Sequence, residues 1–188
     1  MMLIWQMKAS MEYLSLAYTN ERPDVRKVMD YEDGKLSTWP PIYVEYDTYV
    51  YDDMDESYER VPNFPSISGN ITCDEESRLI LDELVYDHVE FLPLLSHTIK
   101  DRQLYILYPK TILDCLDNEQ SDFVRTRTGY IRGISSHVFR PDSIGDTPIF
   151  RLPVAGSPSS RPYVRDEFKQ LIEDNKLTGL EFRKVWED

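Results

Sequence analysis

The sequence predicts an α+β fold in a single domain, a largely antiparallel sheet with two main helices, on three observations. Legible strands and helices follow one another without the regular strand–helix–strand alternation that a parallel sheet needs. Only two long segments join a helix-start signal to apolar residues at helical spacing. Finally, 188 residues that are 41% hydrophobic and 12% aromatic suit one core, and exclude two large domains or an aromatic-poor disordered chain.

Taken in order, Glu12–Tyr18 is aromatic and partly alternating, as a strand would be. After Pro40 and Pro41, the residues Ile42, Val44, Tyr46 and Thr48 alternate with Tyr43, Glu45, Asp47 and Tyr49, the period of a half-buried strand with an acidic outer face. From Tyr51 to Gly69 an acidic run and two prolines predict a solvated excursion with no packed element of its own. Thr72 and Glu75 have capping-box spacing, so a helix is expected over about Cys73–Tyr86, burying Leu79, Ile80 and Leu84. Strands follow at Glu90–Leu94 and Gln103–Tyr108, with Pro93 placing the first at an edge or strand end.

Thr111–Leu116 reads as a short helical turn, and Phe123–Arg127 with Tyr130–Phe139 as a hairpin around Thr128-Gly129, bulged near Gly133. Pro148–Leu152 is a short strand, and Gly156–Ser160 a turn-rich connector. Asp166 is placed to cap a helix from Glu167 to about Asn175, with Phe168, Leu171 and Ile172 inward. The chain closes on Gly179–Trp186, a last strand with its Leu180 and Phe182 side buried.

Charge separates the two halves. With 21 basic and 34 acidic residues the net charge is −13. Residues 1–94 hold 7 basic and 20 acidic residues, whereas residues 95–188 hold 14 of each. Segment 30–59 alone carries ten acids against Lys35, together with six of the thirteen tyrosines. Such a surface repels nucleic acid and anionic lipid and favours a basic partner.

Residues that would carry catalysis or metal binding lack the required spacing. Cys73 and Cys115 have no ligand-spaced neighbours, which argues against zinc and a disulfide framework and fits a reducing cytoplasm. The apolar start at Met1–Met7 is too short for a signal peptide, and no stretch approaches the roughly 20 apolar residues of a membrane span. Asp52–Glu56 lacks the glycine of a calcium loop, no Gly-rich phosphate loop occurs, and Ser136 and His137 point to opposite faces of a strand. His88 and His97 have no metal-ligand spacing, and Arg125, Arg127 and Arg132 are expected to pair with local acids. No catalytic, cofactor-binding or metal-binding residue is therefore assigned.

Val89–Leu94, Tyr105–Leu107 leading to Leu116–Ser121, Ile149–Pro153 and above all the ending Lys176–Trp186, with its Gly-Leu-x-Phe-x-x-x-Trp pattern, resemble a bacterial immunity-protein family of polymorphic toxin systems. The resemblance covers about residues 72–188. It sets residues 1–10 apart as an N-terminal extension, leaving 11–188 as the immunity-type domain and 11–71 as its acidic, variable half. It implies a cytoplasmic protein that binds and neutralises a cognate protein toxin stoichiometrically, without catalysis or cofactor. It also implies that Phe91, Phe150, Phe182 and Trp186 are core anchors and Gly179 a turn position. Recognition of one toxin would then fall on the part that matches least: Tyr43, Glu45, Asp47, Tyr49, Tyr51, Asp52, Asp53, Asp55, Glu56 and Tyr58, facing a basic toxin surface. Two other classes compete with this reading. One is a small hydrolase using His137 and a carboxylate; the other is a self-associating module, a homodimer joined through exposed edge strands.

Overall fold

The computed structural model describes residues 1–19, 39–47, 60–153 and 161–188. Their elements run β1 (Leu3–Ala9), β2 (Leu16–Tyr18), β3 (Val44–Tyr46), β4 (Ser66–Ile67), β5 (Asn70–Asp74), α1 (Glu75–Val85), β6 (Val89–Leu94), β7 (Leu104–Pro109), β8 (Asp122–Arg125), β9 (Ile131–Ser136), β10 (Ile149–Phe150), β11 (Tyr163–Arg165), α2 (Asp166–Asp174) and β12 (Leu180–Glu187). This is the expected α+β domain, with two helices among the described residues and mostly antiparallel strands. The expected connector at Gly156–Ser160 and most of the acidic excursion lie outside the described residues.

Residues 1–10, expected as an extension, instead supply an inner strand. The first sheet has the order β10-β11-β1-β12, with β1 antiparallel to both neighbours: Ile4 faces Arg165 on one side and Trp186 on the other. Both faces of β1 are covered. Trp5, Met7 and Ala9 pack into one apolar cluster, and Met2 and Ile4 into another. On the second face Gln6 donates to the Tyr163 hydroxyl and Lys8 pairs with Glu181 at 2.6 Å, so Trp5–Ala9 alternates as a strand does, and the unbroken apolar run Met1–Trp5 before it carries no period-2 signal.

β12 answers this with a bulge. Its partners run Leu180↔Ala9, Phe182↔Met7 and Lys184↔Trp5, then shift so that Trp186 faces Ile4 and Val185 is the extra residue. An inserted residue reverses which face later side chains point to. Leu180 and Phe182 therefore join the first cluster while Trp186 joins the other.

The second sheet runs β3-β2-β4-β5-β7-β6. Its ends meet: Val44 N–H donates to Leu95 O and Leu95 N–H to Ile42 O, both at 2.8 Å, so the six strands close into a ring. Inside lie Leu16, Ile42, Val44, Ile67, Leu92, Leu94, Leu104 and Ile106. Pro93 sits exposed on β6, and Trp39 Nε1 donates to its carbonyl at 2.8 Å. Residues 60–69 are no solvated excursion: Phe64 and Ile67 are fully buried and β4 is part of the ring.

Between the ring and the first sheet lies the largest cluster, shared by both helices through Leu81, Val85, Phe168 and Ile172. Helix α1 starts later than expected. Thr72 belongs to β5 and its hydroxyl donates to Pro65 O, while Asp74 is the cap, accepting from Ser77 N–H at 2.9 Å. Its buried stripe is Ser77, Leu81 and Val85, not Leu79, Ile80 and Leu84; Leu79 is 60% exposed, Ile80 and Leu84 half-buried. Before α2, Asp166 does not cap. Its carboxylate accepts from Trp5 Nε1 at 3.0 Å, tying the first turn to β1. Thr111–Leu116 forms no helical turn but two isolated bridges, Ile112↔Arg151 and Leu116↔Phe139, because Leu116 is drawn into a third cluster, the one that holds Ile4, Phe139 and Trp186 on the far side of the first sheet.

Helix α1 and β12 are joined by a polar bracket. Asn63 Oδ1 accepts from Thr178 N–H at 3.0 Å, and its amide donates to Asp74 at 3.0 Å. Gly179 follows directly, with φ +100° and an ideal Cβ position 2.6 Å from Phe64 O and 2.7 Å from Pro62 Cβ. The glycine expected at a turn is thus required twice, for its conformation and for the closeness of the chain it passes. Gly179→Ala should lower unfolding stability by about 3 kcal/mol or more in urea titration. Gly129→Ala, at φ +87° in open space, should cost only about 1 kcal/mol.

Candidate functional site

Of the ten residues expected to meet a partner, the structure describes Tyr43, Glu45 and Asp47. Tyr49, Tyr51, Asp52, Asp53, Asp55, Glu56 and Tyr58 lie outside the described residues. With Ile42 and Val44 buried inside the ring, alternation turns Tyr43 and Glu45 outward, and Glu45 is exposed. The Tyr43 ring stacks on His97 with centroids 4.8 Å apart, and Asp47 N–H donates to Ser15 O at 2.9 Å. Tyr46, on the inward parity, has its phenol pKa raised, first by burial. The edge of the ring thus presents a half-buried tyrosine and carboxylates on backbone fixed from both sides by β2 and Leu95.

A second acidic face was hidden in the sequence. Along the outside of α1, Glu76, Leu79, Glu83 and Tyr86 are all exposed, at spacings of three, four and three residues, so they form one stripe. Leu79, expected in the core, stands on this outer face because the helix buries the Ser77–Leu81–Val85 side. The available signal was Ser77, a small residue in phase with Leu81 and Val85 that fits closely against a sheet.

The histidines are occupied structurally. His137 is buried; its Nε2 shares a 3.0 Å hydrogen bond with the Tyr163 hydroxyl, which accepts from the Gln6 amide at 3.3 Å, and its ring stacks on Phe139. Burial, with a smaller contribution from Arg183, lowers its pKa to about 4, and burial raises that of Tyr163 to about 12. Among the described residues no carboxylate is hydrogen-bonded to His137, so the base–acid pair of the hydrolase reading is not assembled. His88 Nδ1 is 3.0 Å from the Thr111 hydroxyl. No group of three or more His, Cys, Asp or Glu side chains is placed to share a metal ion among the described residues.

Cys73 and Cys115 are both free and fully buried. Burial raises both thiol pKa values, that of Cys115 to about 12. The hairpin arginines differ from expectation. Arg125 donates to Gly129 O at 3.1 Å and lies over the Phe123 ring, and none of Arg125, Arg127 and Arg132 pairs with an acid among the described residues. The two-stranded ribbon carries them away from the acids of the two larger sheets.

A family model described as an immunity protein family (Imm11) matches residues 78–187, more than half of the chain. The chain belongs to this immunity protein family. The Imm11 match takes in most of α1, strands β6–β12 and α2, and therefore the bulged ending whose Phe182 and Trp186 serve two clusters. Phe150 is fully buried, while Phe91, Phe182 and Trp186 are half-buried against clusters. The family match leaves out β1 to β5 and all ten expected partner-facing residues. No curated protein matches the chain. No helix among the described residues is long and apolar enough to cross a membrane.

His137 links this packing to pH. Above the ordinary histidine value near 6.5 both folded and unfolded forms are neutral. Below it the unfolded state takes up a proton that the folded state refuses until about pH 4. Stability should fall across that window by on the order of 2–3 kcal/mol more in the wild type than in His137→Gln, measured by urea unfolding at each pH. Both thiols should resist a disulfide-exchange reagent at pH 8 in the folded protein and react together once urea unfolds it.

Proposed function

We propose that this immunity-family protein binds one cognate toxin stoichiometrically and neutralises it, without catalysis of its own. The observation that carries this reading is the family match over residues 78–187. The fold supports it. Burial keeps both cysteines in the unreactive thiol form, and His137 is engaged with the Tyr163 hydroxyl.

The docking surface in this proposal is the acidic, tyrosine-bearing face around Tyr43, Glu45, Asp47, Tyr49, Tyr51, Asp52, Asp53, Asp55, Glu56 and Tyr58, and its partner surface on the toxin is basic. Tyrosine offers a large amphipathic contact at low entropic cost, and carboxylates speed encounter with a basic partner. The location favours it too: all ten residues lie outside the family match, and a surface that recognises one toxin must differ between relatives. Carboxylates there would occupy the positions of phosphates if the toxin is a nuclease. The site of action in this reading is the cytoplasm, where free buried cysteines persist.

Co-expression with the toxin encoded beside this gene should rescue growth, and the two proteins should co-purify as a complex. Failure of both would remove the immunity reading. Within such a complex, reversing Asp52, Asp53, Asp55 and Glu56 to Lys should weaken affinity by about tenfold or more at low salt and flatten its salt dependence. An unchanged affinity and salt slope would remove the acidic face while leaving the immunity role intact.

A further inference from the structure

Among the described residues the β8–β9 ribbon pairs only with itself. Phe123 and Ile134 hold its base against the third cluster, and the remainder projects. An isolated two-stranded ribbon is marginal in water, so its exposed residues gain little from their own chain. Here they are Val124, 48% exposed, Tyr130, 75% exposed, and the arginines. Residues 122–136 contain three arginines and one acid, whereas the rest of the chain holds 18 basic and 33 acidic residues, net −15. This is a basic, aromatic-tipped arm on an acidic protein.

The outer stripe of α1 is its complement. Glu76 and Glu83 flank Leu79, with Tyr86 beyond, and Leu79 and Tyr86 are 60% and 71% exposed. Arg78 cannot neutralise the stripe, because both its hydrogen bonds, at 2.8 Å, go to Glu75. In one chain the arm is based on the third cluster and α1 on the first, on opposite sides of the four-stranded sheet. The two surfaces therefore face different directions, and only a second molecule brings them together.

We propose that the β8–β9 arm docks on the α1 stripe of a second copy of this chain, with Arg127 and Arg132 against Glu76 and Glu83, and Tyr130 and Val124 against Leu79 and Tyr86. One such contact is small for a stable interface; made twice in a reciprocal pair it doubles the buried area and occupies both arms. Arginine and tyrosine are the residue types that concentrate binding energy at interfaces, and the opposed charges fix which surface each arm meets. The chain itself supplies the acidic partner, since outside the arm it is strongly acidic. The pairing is independent of toxin recognition at the β3 face.

Sedimentation velocity between about 1 and about 200 μM should show a dimer at low salt that dissociates near about 0.5 M salt. Arg127→Glu with Arg132→Glu, and separately Glu76→Arg with Glu83→Arg, should each weaken the dimer by about tenfold or more. All four substitutions in one chain, which exchange the charges of arm and stripe, should restore it to within about threefold. These positions are exposed, and circular dichroism of each variant checks that it folds. A wild type that stays monomeric at every concentration overturns the proposal, as does a dimer insensitive to either pair or a four-fold exchange without recovery. Loss of toxin neutralisation by the arm variant in a chain that is always monomeric would assign the arm to the toxin instead, and equally overturns it.

Discussion

The fold depends on β1 lying between β11 and β12. Seven residues from the start of the chain hydrogen-bond on both edges to segments more than 150 positions away, and Ile4 and Met7, on opposite faces, are both fully buried. Removing that strand would open the four-stranded sheet along its middle, unpairing β11 on one side and β12 on the other. It would also expose parts of two clusters at once. Trp5 extends the dependence to α2, because its indole donates to Asp166 and its ring lies under the Lys169 ammonium at 4.8 Å.

Two sheets separate three modest cores rather than surrounding one large one. The space between ring and sheet holds the first with both helices, the ring encloses the second, and the far side of the sheet holds the aromatic third around Phe139, Phe150, Tyr163 and Trp186. This layering buries β5, β7 and β1 on both sides. It also explains the bulge in β12: one extra residue lets a single terminal strand send Phe182 into one core and Trp186 into another. Charges are left for the periphery, where the ring edge, the α1 stripe and the hairpin arm carry opposite signs in separate places.

Legibility followed physical rule. Elements with one solvated face, such as β3, the β8–β9 hairpin and α2, show their periodicity directly, and β6 and β7 are bounded by prolines and polar turns. β1 opens on the unbroken apolar run Met1–Trp5, which carries no period-2 signal. The start of α1 was misplaced because Thr72 and Asp74 are both plausible caps two residues apart; tertiary pairing of β5 with β7 claims Thr72 for the strand and leaves Asp74 to the helix. The exposed Leu79 has a separate cause: Leu79, Ile80 and Leu84 are as apolar as Leu81 and Val85, and packing selects the Ser77–Leu81–Val85 face as the buried one. Three residues of the acidic tyrosine face, Tyr43, Glu45 and Asp47, stand on the ring edge where alternation placed them.

The sequence by itself determined the α+β class, the excess of acid in the first half, the family of the second half and the need for glycine at position 179. These are local or additive properties: composition, periodicity, a short terminal motif and a backbone angle. Only the tertiary structure decided that the first strand is the inner one, that the β12 bulge divides the terminal motif between two cores, and that the arginine arm and the acidic helix stripe face different ways. Each of those depends on which distant segment supplies the other half of a contact, and pairing between remote segments leaves no periodic trace in either one.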